Sequence, residues 1–264
     1  MEHIPKEKLK EAPGLFDLSG KTAVITGGSR GLGRGIALAL ASCGVDVALV
    51  SRTQSDLEFV ASEIREVGRR ALAISADVAD EKKVKEVVET VLTEFDRIDI
   101  LINSAGIAAL KPIAEFEVET WQKIIDINLR GTFLCCKHVG RVMLTQKRGK
   151  IINISSVRGL QGRAEDPAYA PSKGGVNQLT KSLAIEWAKK NITVNAIAPT
   201  FIRTQINEHL LDDEGWRTWI LSRIPMGRTC EIWDLFGTVI FLASRASDFI
   251  TGQTIYVDGG WTSA

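Results

Sequence analysis

Short, nearly unbroken apolar runs alternate along this chain with longer segments whose apolar residues recur every three or four positions. The runs at 22–26, 45–50, 71–75, 98–103, 150–155, 192–197 and 253–257 read as strands. Continuous stretches such as Ile100-Leu101-Ile102 imply burial on both faces, which a parallel sheet covered by helices on each side provides. Between the runs, the spacing predicts a helix over 55–67 closed by Gly68, and one over 80–95 with Val84, Val87, Val88, Val91 and Leu92 as its stripe. After a glycine cluster, Leu32, Ile36, Leu38 and Leu40 fall at helical spacing and Gly44 is placed to cap them. No repeat, linker or low-complexity stretch interrupts this alternation. The expected architecture is therefore α/β, a doubly wound seven-stranded parallel sheet in a single domain over 15–264, preceded by a solvated arm over 1–14.

A chain of 264 residues suits one such domain with a substantial core. Its formal net charge of +1 argues against the electrostatic footprint of a nucleic-acid binder. Cys43, Cys135, Cys136 and Cys230 show no C-x-x-C pairing, so reduced thiols in a cytoplasmic protein are expected. His3, His138 and His209 have no ligand spacing, and no metal site is expected. No apolar run reaches the ~18 residues of a membrane helix, and the first ten residues lack the apolar core of a signal peptide.

Two constellations carry candidate chemistry. In the first, strand 22–26 runs into Gly27-x-x-x-Gly31-x-Gly33 and then into a helical pattern. Bare backbone at a helix N-terminus lets a pyrophosphate approach, and the amides and dipole favour its charge. The general G-x-G-x-x-G fingerprint is not matched, and a glycine-rich turn needing positive φ would read the same way. The second is Tyr169-x-x-x-Lys173, in a chain with only two tyrosines. On a helix these share a face. A phenol with a pKa of about 10 is a poor base at neutral pH, and a neighbouring cation favours its ionised form. Alone, the pair reads equally as an ordinary surface contact. Ligands of doubly wound sheets bind beyond the carboxyl ends of the strands, where Asn103 and Ser156 also fall.

At these positions the chain resembles the short-chain dehydrogenase/reductase family, nearly end to end. The family's T-G-x-x-x-G-x-G matches Thr26, Gly27, Gly31 and Gly33, with Ser29, Arg30 and Leu32 inside the loop. Asp77-Val78 matches the adenine contact, and N-N-A-G appears as Asn103-Ser104-Ala105-Gly106, with Ser104 departing from the usual second asparagine. Asn128 matches the family asparagine, and Ser156 the serine upstream of the tyrosine. Asn195 to Pro199 and Gly252 to Gly260 match the last two strands, although Thr200 stands where the family usually has glycine. The resemblance implies a Rossmann fold and a reversible, nicotinamide-dependent reduction of a ketone to a secondary alcohol. Tyr169 would donate the proton. Lys173 would lower the phenol's pKa and hold the nicotinamide ribose. Ser156 would fix the substrate oxygen, and Asn128 would hold a water that extends the proton relay. Pro199, Thr200, Ile202 and Thr204 would border the nicotinamide. A homotetramer is implied through 118–147 and 168–190, where Ile124, Leu129, Phe133, Val176, Leu179 and Leu183 supply apolar surface.

Cofactor choice falls on Ser51-Arg52-Thr53, about twenty residues beyond the glycine turn, where a carboxylate would meet NAD or an arginine the NADP phosphate. No acid sits there. Ser51, Arg52 and Arg30 favour NADP(H), with NAD(H) as the lesser option. The substrate region is expected at 157–168 and 200–228. Trp216 and Trp219 could form a lid or pack as an amphipathic helix, and Arg158 and Arg163 could attract an anion or be merely solvated. The opening Leu15-Phe16-Asp17-Leu18 resembles that of sugar-acid dehydrogenases such as gluconate 5-dehydrogenase. A 3-oxoacyl-thioester reductase and a broad ketone reductase stand beside that reading. A non-catalytic dinucleotide sensor would be expected to lose part of Asn128, Ser156, Tyr169 and Lys173, and all four are present.

Overall fold

Seven strands form one all-parallel sheet in the order β3-β2-β1-β4-β5-β6-β7. They are β1 (Thr22–Thr26), β2 (Asp46–Ser51), β3 (Ala71–Ser75), β4 (Ile100–Asn103), β5 (Gly149–Ile154), β6 (Ile192–Pro199) and β7 (Thr254–Val257). The structure is a computed structural model that describes residues 6–203 and 212–263. The helices are α1 (Lys6–Glu11), α2 (Gly31–Ser42), α3 (Gln54–Glu66), α4 (Glu81–Phe95), α5 (Val118–Ile125), α6 (Gly131–Gln146), α7 (Tyr169–Trp187), α8 (Glu214–Ser222) and α9 (Phe236–Ala243). Residues 9–14, in the segment read from the sequence as a solvated arm, are exposed and lie in α1 and a 3-10 turn.

The near-continuous apolar strands are explained by two cores. Ala23, Ile25, Ile100 and Ile102 point into one, with Ile36 and Leu40 of α2, Leu57 and Ile64 of α3 and Val239 of α9. Val24 and Leu101 point into the other, with Val84, Val88 and Val91 of α4, Leu134 and Met143 of α6 and Trp187 of α7. The central strands β1 and β4 thus bury both faces, as a doubly wound sheet requires, while the edge strands β3 and β7 are only partly covered. Strand order reverses between β1 and β4, and Thr26 stands beside Asn103 in their shared register. The crevice of such a sheet opens at that switch point.

Local signals set the element ends. Asp80 starts α4 by accepting from the amides of Lys82 at 2.9 Å and Lys83 at 3.2 Å. The strand expected over 98–103 begins only at Ile100, because Asp99 turns its carboxylate back to the Thr22 amide at 3.1 Å. Between α5 and α6 the helix widens into a π turn over Asp126–Arg130, with Asn128 at its centre. Such turns add one residue to the helical ladder and are frequent at functional sites. No helix among the described residues is long and apolar enough to cross a membrane.

Candidate active site

The glycine loop is shaped by close approach. Gly27 sits at φ +67°, and a Cβ there would stand 2.9 Å from the Ala105 amide nitrogen. A Cβ on Gly33 would collide with the Gly27 carbonyl, so α2 can start tight against the end of β1 only with glycine at both places. Thr26 Oγ1 accepts from the amides of Ser104 at 3.1 Å and Ala105 at 3.2 Å, tying β1 to the segment after β4. The departure at Ser104 leaves this tie intact, because the bond uses its backbone.

A cleft of about 1270 Å³ opens above these ends. It is lined by Gly27, Ser29, Arg30, Gly31, Leu32, Gly33, Ser51, Arg52, Asp77, Val78, Ala105 and Gly106, all expected from the sequence. Ser51 Oγ is buried with no hydrogen-bond partner. An unpaired buried hydroxyl is costly, and a phosphate oxygen would satisfy it. Arg30 and Arg52 are exposed beside it, and neither has an ion pair with a described residue. The loop, the orphaned hydroxyl and the two guanidinium groups therefore fit a dinucleotide carrying a 2′-phosphate. Sequence reasoning did not find Phe59, Glu231, Ile232 and Trp233, which also line the cleft. Glu231, Ile232 and Trp233 follow the parallel bridge between Ile202 and Cys230, and Phe59 comes from α3; neither placement is written in local spacing.

Asn103 does not line the cleft. It is buried, and its Nδ2 donates to Asn153 Oδ1 at 2.9 Å, which continues through Asn153 Nδ2 to Thr180 Oγ1 at 2.9 Å. Its cross-strand neighbour on β5 holds the Nδ2 end of the side chain, while Asn103 Oδ1 is buried with no hydrogen-bond partner, as is Ser51 Oγ. Pro199 and Ile202 are buried and Thr200 is half-buried, outside the residues that line the cleft. Thr204 and His209 lie outside the described residues.

Beyond the glycine loop, four side chains gather at the carboxyl ends of β4 and β5. Tyr169 opens α7, where Asp166 Oδ1 accepts from the amides of Tyr169 at 3.0 Å and Ala170 at 3.1 Å. Lys173, one turn on, is buried; its Nζ donates to the Ile154 carbonyl at 2.7 Å and lies 5.6 Å from the Tyr169 ring centre. Ser156 follows β5 and accepts from the Arg158 amide at 3.1 Å, and its hydroxyl is the group that most counters the effect of burial on the Tyr169 phenol. Asn128, fully buried in the π turn, donates Nδ2 to the Ile107 carbonyl at 2.9 Å and to Ser172 Oγ at 3.0 Å. Its Oδ1 accepts from the Ile107 amide at 2.9 Å. Both side-chain donors are spent, so the amide pins the wall of the site.

Burial dominates the electrostatics here. It holds the Tyr169 phenol above its ordinary value, with the Ser156 hydrogen bond as the leading opposing influence. It also pushes Lys173 down to about 8. The lysine was expected to lower the phenol's pKa, but the same dry surroundings weaken its own charge. Proximity did not win over desolvation.

A third cluster borders the reacting end. Val157, Ile220, Ile224 and Trp261 form a small core of their own, with Phe201 and Trp216 against it. Trp216 meets Phe201 edge-on at 4.7 Å, and Trp219 meets Trp261 edge-on at 6.2 Å. The two tryptophans thus anchor α8 onto the domain. A separate cavity of about 750 Å³ lies at the amino ends of the strands, around Asp99, Lys150 and Thr193, away from this chemistry.

A strand–glycine turn–helix cleft joined to a Ser–Tyr–Lys cluster defines the class: a nicotinamide-type oxidoreductase on a doubly wound sheet. The chain belongs to the short-chain dehydrogenase/reductase family, whose members act on CH–OH and C=O groups. A family sequence model described as Enoyl-(Acyl carrier protein) reductase matches residues 27–262. The 2-dehydro-3-deoxy-D-gluconate 5-dehydrogenase of Bacillus subtilis is 43% identical over 94% of this chain and 97% of that relative. The 3-oxoacyl-[acyl-carrier-protein] reductase of Synechocystis is 42% identical over 92% of this chain and 97% of its own length. The crystal structure of a gluconate 5-dehydrogenase from Burkholderia cenocepacia, in complex with NADP and tartrate, superposes with a TM-score of 0.92 at 38% identity. That match covers 96% of this chain and 99% of the other.

Proposed function

We propose that this protein is an NADP(H)-dependent oxidoreductase interconverting a keto group and a secondary alcohol on a small sugar acid. The observation that carries the cofactor is the orphaned Ser51 hydroxyl between Arg52 and the glycine loop. When bound, the nicotinamide supplies or accepts the hydride. Ser156 Oγ holds the substrate oxygen, and Tyr169 gives that oxygen its proton in reduction or takes it in oxidation. A phenol held protonated by burial is suited to donating. Lys173 stands behind it with its charge held by the Ile154 carbonyl, and Asn128 fixes the Ile107 wall and the first turn of α7. A sugar acid is favoured over a thioester because two of the three relatives named above are gluconate-type dehydrogenases and because arginines border the reacting end.

The four cysteines are free thiols, three of them buried, which suits a reducing compartment, and we assign the enzyme to the cytoplasm. We also propose that it works as a homotetramer. Val118, Phe133 and Ile185 expose apolar surface on α5, α6 and α7, whereas Ile124 and Val176 turn inward. The test of the catalytic reading is NADPH consumption against keto-sugar acids, uncharged ketones and 3-oxoacyl thioesters. Turnover of the keto acids is expected, and turnover of thioesters alone would replace the sugar-acid reading with the carrier-linked one.

A further inference from the structure

The wall beyond Ser156 holds three arginines, Arg158, Arg163 and Arg223, and none has an ion pair with a described carboxylate. The Arg158 guanidinium lies 5.4 Å from the centre of the Trp261 ring, and that of Arg223 lies 5.3 Å from the same ring. Trp261 is buried and fixed by its own Nε1–H, which donates to Gln161 Oε1 at 2.8 Å. Two cations therefore share one immobile aromatic ring. Among the described residues, the one side-chain hydrogen bond of Arg158 is from Nη1 to the Gly162 carbonyl, at 3.3 Å. A guanidinium carries five N–H donors in a planar fork, so most of this one is unspent.

Like charges gathered around one buried ring repel one another. Burial, then Arg163, lowers the Arg158 pKa from its ordinary value, Asp166 opposes this, and Arg223 lowers it further. An anion held by the Arg158 guanidinium would offset that repulsion and fill the fork with two parallel hydrogen bonds. Arg158 is also tied to the reacting centre, since its amide donates to Ser156 Oγ at 3.1 Å and its charge favours the Tyr169 phenolate. Arg158 therefore stands two residues along the chain from the hydroxyl that would meet the substrate oxygen.

We propose that Arg158, backed by Arg223 on the face of Trp261, binds the substrate's carboxylate and so selects a keto or hydroxy acid over an uncharged ketone. This rests on the reading of Ser156 and Tyr169 as the reacting centre. A phosphate carried by a pantetheine thioester offers related charge, and the test separates the two. Arg158→Met, Arg158→Lys and Arg223→Met would be purified with melting temperature and NADPH binding as controls. Each would be assayed with a keto aldonate, the uncharged ketose of equal chain length, and a 3-oxoacyl thioester with and without its pantetheine phosphate.

Arg158→Met is expected to raise KM for the keto acid about ten- to a hundred-fold, the range for a lost charge-assisted hydrogen bond. The uncharged ketose should lose much less kcat/KM than the keto acid, its remaining loss reflecting the Arg158 charge acting on the Tyr169 phenol, and Arg158→Lys should recover part of the loss on the acid because it restores charge without the fork. Equal losses on acid and ketose would overturn the proposal, leaving the arginines as a clamp on Trp261. So would unchanged kinetics on the acid, or a wild-type enzyme that answers to the thioester's phosphate and ignores the acid. In those cases the reductase assignment survives. A wild-type enzyme that reduces none of these compounds would overturn both.

Discussion

Tyr169 and Lys173 lie one helical turn apart, and burial sets the behaviour of both. In Tyr169→Phe the ring still fills its place and only the proton donor is lost. The variant should fold and bind NADPH yet fall by more than ten-fold in kcat, at least ~1.4 kcal/mol of transition-state stabilisation. Retention of a tenth or more of wild-type turnover would dismiss the assignment. Lys173, pushed down to about 8 by burial, is charged more easily in the unfolded chain than in the native one. Its stability penalty is complete below pH 8 and fades as pH rises toward the unfolded value of 10.5. Lys173→Met should therefore melt higher than wild type at neutral pH, by up to a few kcal/mol at ~1.4 kcal/mol per pH unit, offset in part by the Ile154 carbonyl it leaves unpaired. The gap should close between pH 8 and 10.5, while activity is lost throughout. A variant less stable than wild type across that range would contradict the burial argument. Arg52→Asp places a carboxylate where the 2′-phosphate is expected, beside Ser51. The ratio of kcat/KM for NADPH to that for NADH should invert or collapse; an unchanged ratio would place cofactor choice elsewhere.

At the scale of the element, α7 couples stability to chemistry. Asp166 satisfies two of its first amides, and the first residue it anchors is Tyr169. Asp166→Ala should cost about 1–2 kcal/mol in stability, as loss of an N-terminal cap does. The loosened first turn should depress kcat further, and Asp166→Asn should restore most of both. Denaturant melts and turnover on the same preparations decide this. An alanine variant with normal kcat would show that the cap serves stability alone. This element was partly legible in the sequence: the Tyr169 and Lys173 spacing placed the pair on one helical face. The π turn around Asn128 was not, because an extra residue in the ladder leaves the apolar period almost unchanged. Its effect appears only in the bonds to Ile107 and Ser172, from another loop and another helix.

At the scale of the molecule, the exposed apolar residues of α5, α6 and α7 ask for a partner, and the expected one is a second copy of this chain. Light scattering at micromolar concentration should return about four times the 28.9 kDa chain mass. A monomeric mass would refute the assembly, and Ile185→Lys, at a position 81% exposed, should weaken it without lowering the monomer's stability. The family resemblance named Asn128 and Ser156; by itself, the sequence determined the alternation of strand and helix, the parallel sheet, the glycine turn and the shared helical face of Tyr169 and Lys173. Each of these is a local pattern or a fixed spacing, and local sterics and periodic burial are written residue by residue. Tertiary structure alone decided which of those residues face the cleft. Asn103 is drawn to Asn153 across the strands, Phe59 and Trp233 arrive at the cleft from α3 and the turn before α9, and Arg158 and Arg223 meet on Trp261 from separate segments. Contacts between positions far apart in the chain depend on how the two layers pack against the sheet, and no one-dimensional spacing records that.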